Sequence, residues 1–290
     1  MPAIIRTEKL RKVYAVGKER VVALNDVDIE VEKGEFCCIV GQSGSGKSTL
    51  LNQLAGLEKP TRGKVFIGQH EVSAMSENEL ARFRQAHLGF IFQSYNLLPS
   101  MTAAENVALP LMFKGVPKSV RIARAKKELK DMGLGARAGH MPTEMSGGQQ
   151  QRVGIARAFV TNPRVIFADE PTGNLDSTTS KQVLYRMLQM SKRDGITFVM
   201  VTHEPSLASC ADRIITILDG KVQSNVLQPD ELKEGNRAKL FATLEGNTQI
   251  GAKAKPTPEK EPAQPENAPE PKKQTEEKAA PSPAAVPQGH

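Results

Sequence analysis

The chain has 290 residues, 39% of them hydrophobic, enough for one large α/β domain or two small ones. Its net charge of +7 is compatible with nucleic acid, nucleotide phosphates or an anionic membrane surface, but three tyrosines and no tryptophan offer little to stack on bases and argue against nucleic acid. Apolar runs such as residues 196–201 fall far short of the roughly 18 to 20 residues that cross a bilayer, and charges occupy the place of a signal peptide's apolar region, so a cytoplasmic location is expected. Cys37, Cys38 and Cys210 lack metal-ligand spacing and read as small core residues.

In chain order, residues 35–40 are apolar on both faces and read as a buried strand of a mainly parallel sheet. That strand runs into GQSGSGKS at 41–48, which fits G-x-x-x-x-G-K-[ST] at every position and opens a helix. Gly41, Gly44 and Gly46 let successive backbone N–H groups turn inward around phosphate oxygens, and the helix N-terminus adds its positive dipole end. The predicted nucleotide-binding residues are Gly41, Gln42, Ser43, Gly44, Ser45, Gly46, Lys47, Ser48 and Thr49. Lys47 reaches the β- and γ-phosphates and Ser48 ligates Mg²⁺.

Ser76 and Glu79 form a capping box that opens a helix through about Gln85, and residues 118–132 read as a charged amphipathic helix. These patterns place a helical block at 90–160 between two parts of an α/β core, 1–89 and 161–240. Residues 164–169 and 196–203 are two more buried strands. The first ends on Asp169 and Glu170, and a strand end beside a phosphate loop is where open parallel sheets build sites. Asp169 suits the Mg²⁺ shell and Glu170 the general base. A hairpin follows around Asp219–Gly220. From 251 to 290 the chain is rich in Pro, Ala, Lys and Glu, its charges cancel, and it reads as a disordered tail.

Residues 145–149, MetSerGlyGlyGln, and the following GlnGlnArgValGlyIleAlaArgAla resemble the signature motif of ABC ATPases. Ser146 caps a helix whose first turn, Gly147, Gly148 and Gln149, is free of bulk and able to face an anion. The resemblance implies that this turn meets the γ-phosphate held by a second copy, so that two chains sandwich two ATP molecules head to tail. It also implies that Tyr14 stacks on adenine, that Gln93 senses the γ-phosphate and Mg²⁺, that Asp176 belongs to the loop across the dimer interface, and that His203 is the switch histidine. The expected fold is a P-loop NTPase core with N-terminal antiparallel strands and an inserted helical signature subdomain. Met145 stands where the family usually has leucine, a volume-conserving exchange.

The segments at 92–107 and 170–177 resemble the MacB, LolD and FtsE group. That likeness implies an integral membrane permease partner with a large extracytoplasmic domain, and work in lipoprotein release, peptide or drug efflux, or signalling that moves no solute. A soluble, non-transport ABC ATPase is the rival reading. Translation factors of that kind carry two cassettes in tandem, and DNA-repair relatives separate the two motifs by hundreds of residues. Here there is one phosphate loop, about a hundred residues from the signature.

Overall fold

The computed structural model describes residues 3–248, so the tail read at 251–290 lies outside the described residues. The chain opens with β1 (Ala3–Val16), β2 (Glu19–Val27) and β3 (Glu30–Glu32), followed by β4 (Phe36–Val40) and α1 (Lys47–Leu54). Next come β5 (Arg62–Ile67), β6 (His70–Glu71), α2 (Glu77–His87) and β7 (Leu88–Ile91). Three helices follow: α3 (Ala103–Phe113), α4 (Lys118–Asp131) and α5 (Gly147–Phe159). The chain then runs through β8 (Val165–Asp169), α6 (Ser177–Asp194), β9 (Thr197–Val201) and the short α7 (Pro205–Ala208). It closes with β10 (Arg213–Leu218), β11 (Lys221–Leu227) and α8 (Asp230–Thr248).

Two sheets result. One has the order β2-β1-β5-β6 with β3 also on β1, and the pairings of β1 with β2, β3 and β5 are all antiparallel. The other has six strands in the order β11-β10-β4-β9-β8-β7, parallel except for the β10–β11 hairpin. In that hairpin Asp219 (φ 48°) and Gly220 (φ 72°) make the turn that the sequence pattern calls for.

Period-two alternation explains why the parallel strands are apolar on both sides. Phe36, Cys38, Ile166, Ala168, Phe198 and Met200 join the core under the helical block, while Cys37, Ile39, Val165, Phe167, Val199 and Val201 join the core under α1 and the antiparallel sheet. The three cysteines are buried and free, as core residues should be. α2 opens on the expected Ser76–Glu79 capping box and α3 on an equivalent one, Thr102–Glu105. The strand expected at 196–203 is shorter. It ends at Val201 because Thr202 turns the chain, its hydroxyl accepting the Glu204 N–H at 3.1 Å.

Candidate nucleotide site

β4 delivers residues 41–48 to the C-terminal edge of the parallel sheet. Gly46 has φ 103°, and a Cβ there would stand 2.5 Å from the Ala23 carbonyl oxygen, so the loop passes β2 only as glycine. The β10–β11 turn braces the loop, with the Gly220 N–H donating to the Ser45 carbonyl at 2.9 Å. Lys47 is buried and donates from Nζ to the Gln42 carbonyl at 2.7 Å. The Ser45 hydroxyl is buried without a hydrogen-bond partner, an unmet need that a phosphate oxygen would satisfy.

Register brings the acids to this loop. Val201 of β9 pairs with Ile39 of β4 on one side and with Asp169 of β8 on the other, so the ends of all three strands lie level. The Ser48 hydroxyl donates to Asp169 Oδ1 at 3.0 Å. Burial and the neighbouring Glu170 charge push the Asp169 carboxyl above its usual range, against the opposing pull of Ser48 and Lys47. Among the described residues no three His, Cys, Asp or Glu side chains gather as a metal site. One carboxylate, one hydroxyl and substrate phosphates form a donor set that fits Mg²⁺.

Glu170 has φ 42°, an unusual conformation for a non-glycine residue. Its N–H donates to the Val201 carbonyl and its own carbonyl accepts the Gly173 N–H, both at 3.1 Å. His203 Nδ1 lies 3.3 Å from Glu170 Oε1. Gln93, two residues past β7, reaches the same place: a Cβ on Gly173 would meet Gln93 Nε2 at 2.9 Å and Glu170 Oε2 at 3.3 Å. Gly173 is therefore the gap through which Gln93 and Glu170 converge. Asn174 fastens the arrangement by donating from Nδ2 to the Gln93 carbonyl at 3.1 Å.

The signature turn stands apart. Ser146 caps α5 with a full capping box, its hydroxyl accepting the Gln149 N–H and its N–H donating to Gln149 Oε1. Among the described residues no hydrogen bond joins 145–149 to 41–48. Met145 is buried, filling the place of a leucine. A Cβ on Gly147 would lie 2.9 Å from the Tyr95 hydroxyl, and one on Gly148 would lie 2.8 Å from Thr179 Cγ2. Asp176 caps α6, accepting from the N–H groups of Thr178 and Thr179 at 3.0 Å and from the Thr179 hydroxyl at 2.6 Å. Those bonds hold its carboxyl below the usual range.

Tyr14 sits in β1 opposite Val21, half-exposed, and its phenol donates to Glu58 Oε2 at 2.6 Å. Thr49 is close enough to that phenol to oppose the rise that burial and Glu58 impose on it, which places the ring beside the first turn of α1. Val16 and Val21 are 63% and 47% exposed on the same face, by the alternation of the strands.

Comparison with known proteins decides the family. The ABC transporter family model matches residues 24–173. This chain belongs to the ABC transporter family. The cassette is 48% identical over 219 residues to an uncharacterised ABC transporter ATP-binding protein of Methanocaldococcus jannaschii, a match covering 76% of this chain and 97% of that one. The macrolide export ATP-binding/permease protein MacB of Neisseria meningitidis is 43% identical over 238 residues, 82% of this chain but 37% of that longer protein. Among solved structures, the ATP-binding cassette MJ0796, dimeric and bound to ADP and phosphate, superposes with a TM-score of 0.73 at 41% identity, covering 77% of this chain and 98% of that one. The chain is an ABC ATPase of the MacB/LolD/FtsE-like group, and its fold is the P-loop NTPase core that the sequence implied.

Sequence reasoning singled out Lys47, Ser48, Asp169, Glu170, Gln93 and His203, and the structure gathers them at neighbouring strand ends. It placed Asn174 in the loop 174–176 across the dimer interface without its bond to Gln93, and it passed over Gly173, Glu58 and Arg157, whose parts depend on contacts distant in sequence. For Gly173 a signal was available, because it stands three residues past Glu170.

Proposed function

We propose that this ATPase binds ATP with Mg²⁺ between its phosphate loop and the signature turn of a second copy, closes head to tail on it, and drives a membrane permease of the FtsX/MacB/LolC type. The observation that carries the reading is the Ser48–Asp169 pair at 3.0 Å, with Glu170 next in the chain and 3.3 Å from His203. Backbone N–H groups of 41–48 and the Lys47 ammonium bind the phosphates. Mg²⁺, when bound, supplies charge neutralisation on the transferring phosphoryl group; Ser48 and Asp169 would hold it, with Gln93 just past the end of the neighbouring strand. Glu170 orients the attacking water and accepts its proton at a carboxylate oxygen, while His203 steadies that carboxylate and faces the γ-phosphate.

A second copy enters because Ser146, Gly147, Gly148 and Gln149 form a bare helix N-terminus with no hydrogen bond to the loop of their own chain. The similar cassette MJ0796 is described as dimeric. Closure is a population shift driven by ATP, which binds the closed pair better than the open one. Among the described residues no helix is long and apolar enough to cross a membrane. A groove of about 620 Å³, lined by Phe90, Phe92, Leu109, Pro110 and the 66%-exposed Phe113, supports a partner docking site next to Gln93. MacB's name joins macrolide export and ATP binding to a permease, which supports work beside a permease at the cytoplasmic face of the membrane and, of the three tasks of that group, drug efflux over lipoprotein release or peptide efflux.

The test separates the two phosphate contacts. Lys47→Ala is expected to abolish ATP binding, whereas Gly147→Asp keeps binding and prevents ATP-dependent dimerisation. Equal loss of ATP binding in both variants, measured on the purified chain, rules out a shared interfacial site.

A further inference from the structure

One carboxylate bridges the two places where a nucleotide would touch this chain. Glu58 lies four residues past the end of α1, the helix that begins at Lys47. Its Oε2 accepts the Tyr14 phenol at 2.6 Å, and its Oε1 accepts the Asn52 side-chain amide of α1 at 3.3 Å. Backbone bonds tie the same turn to the helix, with the N–H groups of Leu57 and Glu58 donating to the Asn52 carbonyl at 2.9 and 3.4 Å. Lys12 completes the unit. Its ammonium lies 3.2 Å from Glu58 Oε2, donates to the Lys59 carbonyl at 2.9 Å, and sits 5.0 Å from the centroid of the Tyr14 ring.

The consequence is a ring fixed at its edge and on one face. The phenol oxygen is committed to Glu58 and Lys12 covers the ring on one side, which leaves the opposite side as the stacking surface. Burial pushes the Glu58 carboxyl up, but the bonds from Tyr14, Lys12 and Asn52 hold it below its usual range, so it stays ionised and accepts all three. A free tyrosine on a strand would lose rotamer freedom on receiving a base, whereas a ring fixed in advance avoids that cost.

We infer that Glu58 is a positioning residue for the nucleotide base: by joining Tyr14 of β1 to Asn52 of α1, it sets the base platform at a fixed distance from the phosphate loop. The inference rests on the proposed stacking role of Tyr14. It assigns to Glu58 a part of ATP affinity that belongs to the base and not to the phosphates.

The experiment compares ATP with inorganic tripolyphosphate, each with Mg²⁺, by calorimetry on the full chain and on Glu58→Ala, Tyr14→Phe, Tyr14→Ala and the double variant Glu58→Ala/Tyr14→Phe. Glu58→Ala is expected to weaken ATP binding by about 10-fold, since it removes a charged hydrogen-bond acceptor, and to leave tripolyphosphate binding unchanged. Because Glu58 and Tyr14 act through one bond, the double variant should be no weaker than the weaker single one. Unchanged tripolyphosphate binding also reports that the phosphate loop is folded. If ATP and tripolyphosphate weaken alike, Glu58 acts on α1 alone and the inference is overturned. It is overturned on its own account if Tyr14→Ala weakens ATP binding and Glu58→Ala does not. Should Tyr14→Ala leave ATP affinity untouched, the stacking role falls and takes the inference with it.

Discussion

The imidazole of His203 stands 3.3 Å from the carboxylate of Glu170. The two arrive there from the ends of adjacent parallel strands, β9 and β8, with Asp169 and Val201 in register. Glu170→Gln keeps the shape of the side chain and removes its basicity, leaving Ser48, Asp169 and Lys47 in place. ATP hydrolysis is expected to fall ~10²–10⁴-fold, about 3 to 5 kcal/mol of barrier, with ATP affinity nearly unchanged. The ATP-loaded pair should then persist and elute early in size exclusion. Hydrolysis at the wild-type rate would move the base to another group, with His203 the first to test.

Asp169 gives a prediction of opposite sign for stability and activity. Its folded-state pKa lies above the ordinary carboxylate value because burial and the Glu170 charge disfavour ionisation. The folded chain therefore holds this proton more tightly than the unfolded one, and the Asp169 contribution to stability declines as pH rises past the unfolded value. Asp169→Asn removes the buried charge and keeps an acceptor for the Ser48 hydroxyl. Without nucleotide, the variant should melt higher than the wild type at pH 7, and the gap should shrink toward pH 4. Mg²⁺-dependent hydrolysis should be lost. A variant that melts lower at pH 7 would mean that the carboxylate stabilises the empty site.

One guanidinium holds two carbonyls of the segment after Gln93. Arg157 of α5 donates from Nη1 to the Asn96 carbonyl at 2.5 Å and from Nη2 to the Tyr95 carbonyl at 2.8 Å. Tyr95 and Asn96 have φ of 59° and 48°, and each such residue costs of order 1–3 kcal/mol unless its surroundings hold it. Arg157→Ala leaves the half-buried Tyr95 carbonyl without this donor, the exposed Asn96 carbonyl passing to water, and is expected to lower stability by about 1–3 kcal/mol in urea unfolding. Hydrolysis should fall as well, because the turn that follows Gln93 loses its support while the Asn174 bond to Gln93 remains. Arg157→Lys supplies one point donor in place of a fork and should fall between the two. Wild-type stability in Arg157→Ala would show that the loop holds its shape unaided.

By itself the sequence determined the local chemistry. The run 41–48 announces a phosphate loop by its glycines and helix start, which are nearest-neighbour effects, and Ser76–Glu79 caps α2 for the same reason. Period and composition likewise marked β4, β8 and β9, whose two apolar faces are filled by two cores. Gln93 and His203 could be placed only by resemblance, since nothing near either residue says what it will face. Only the tertiary structure decided the contacts across the sheet. Register set Asp169 against Ser48, 121 residues away, and the absence of a side chain at Gly173 let Gln93 approach Glu170. Glu58 reached Tyr14 across 44 residues because Leu50 and Leu54 of α1 share one core with Leu10 of β1 and Leu24 of β2, which draws the helix against the antiparallel sheet. Such pairings depend on burial and register summed over the whole domain, and no short window of sequence contains that sum.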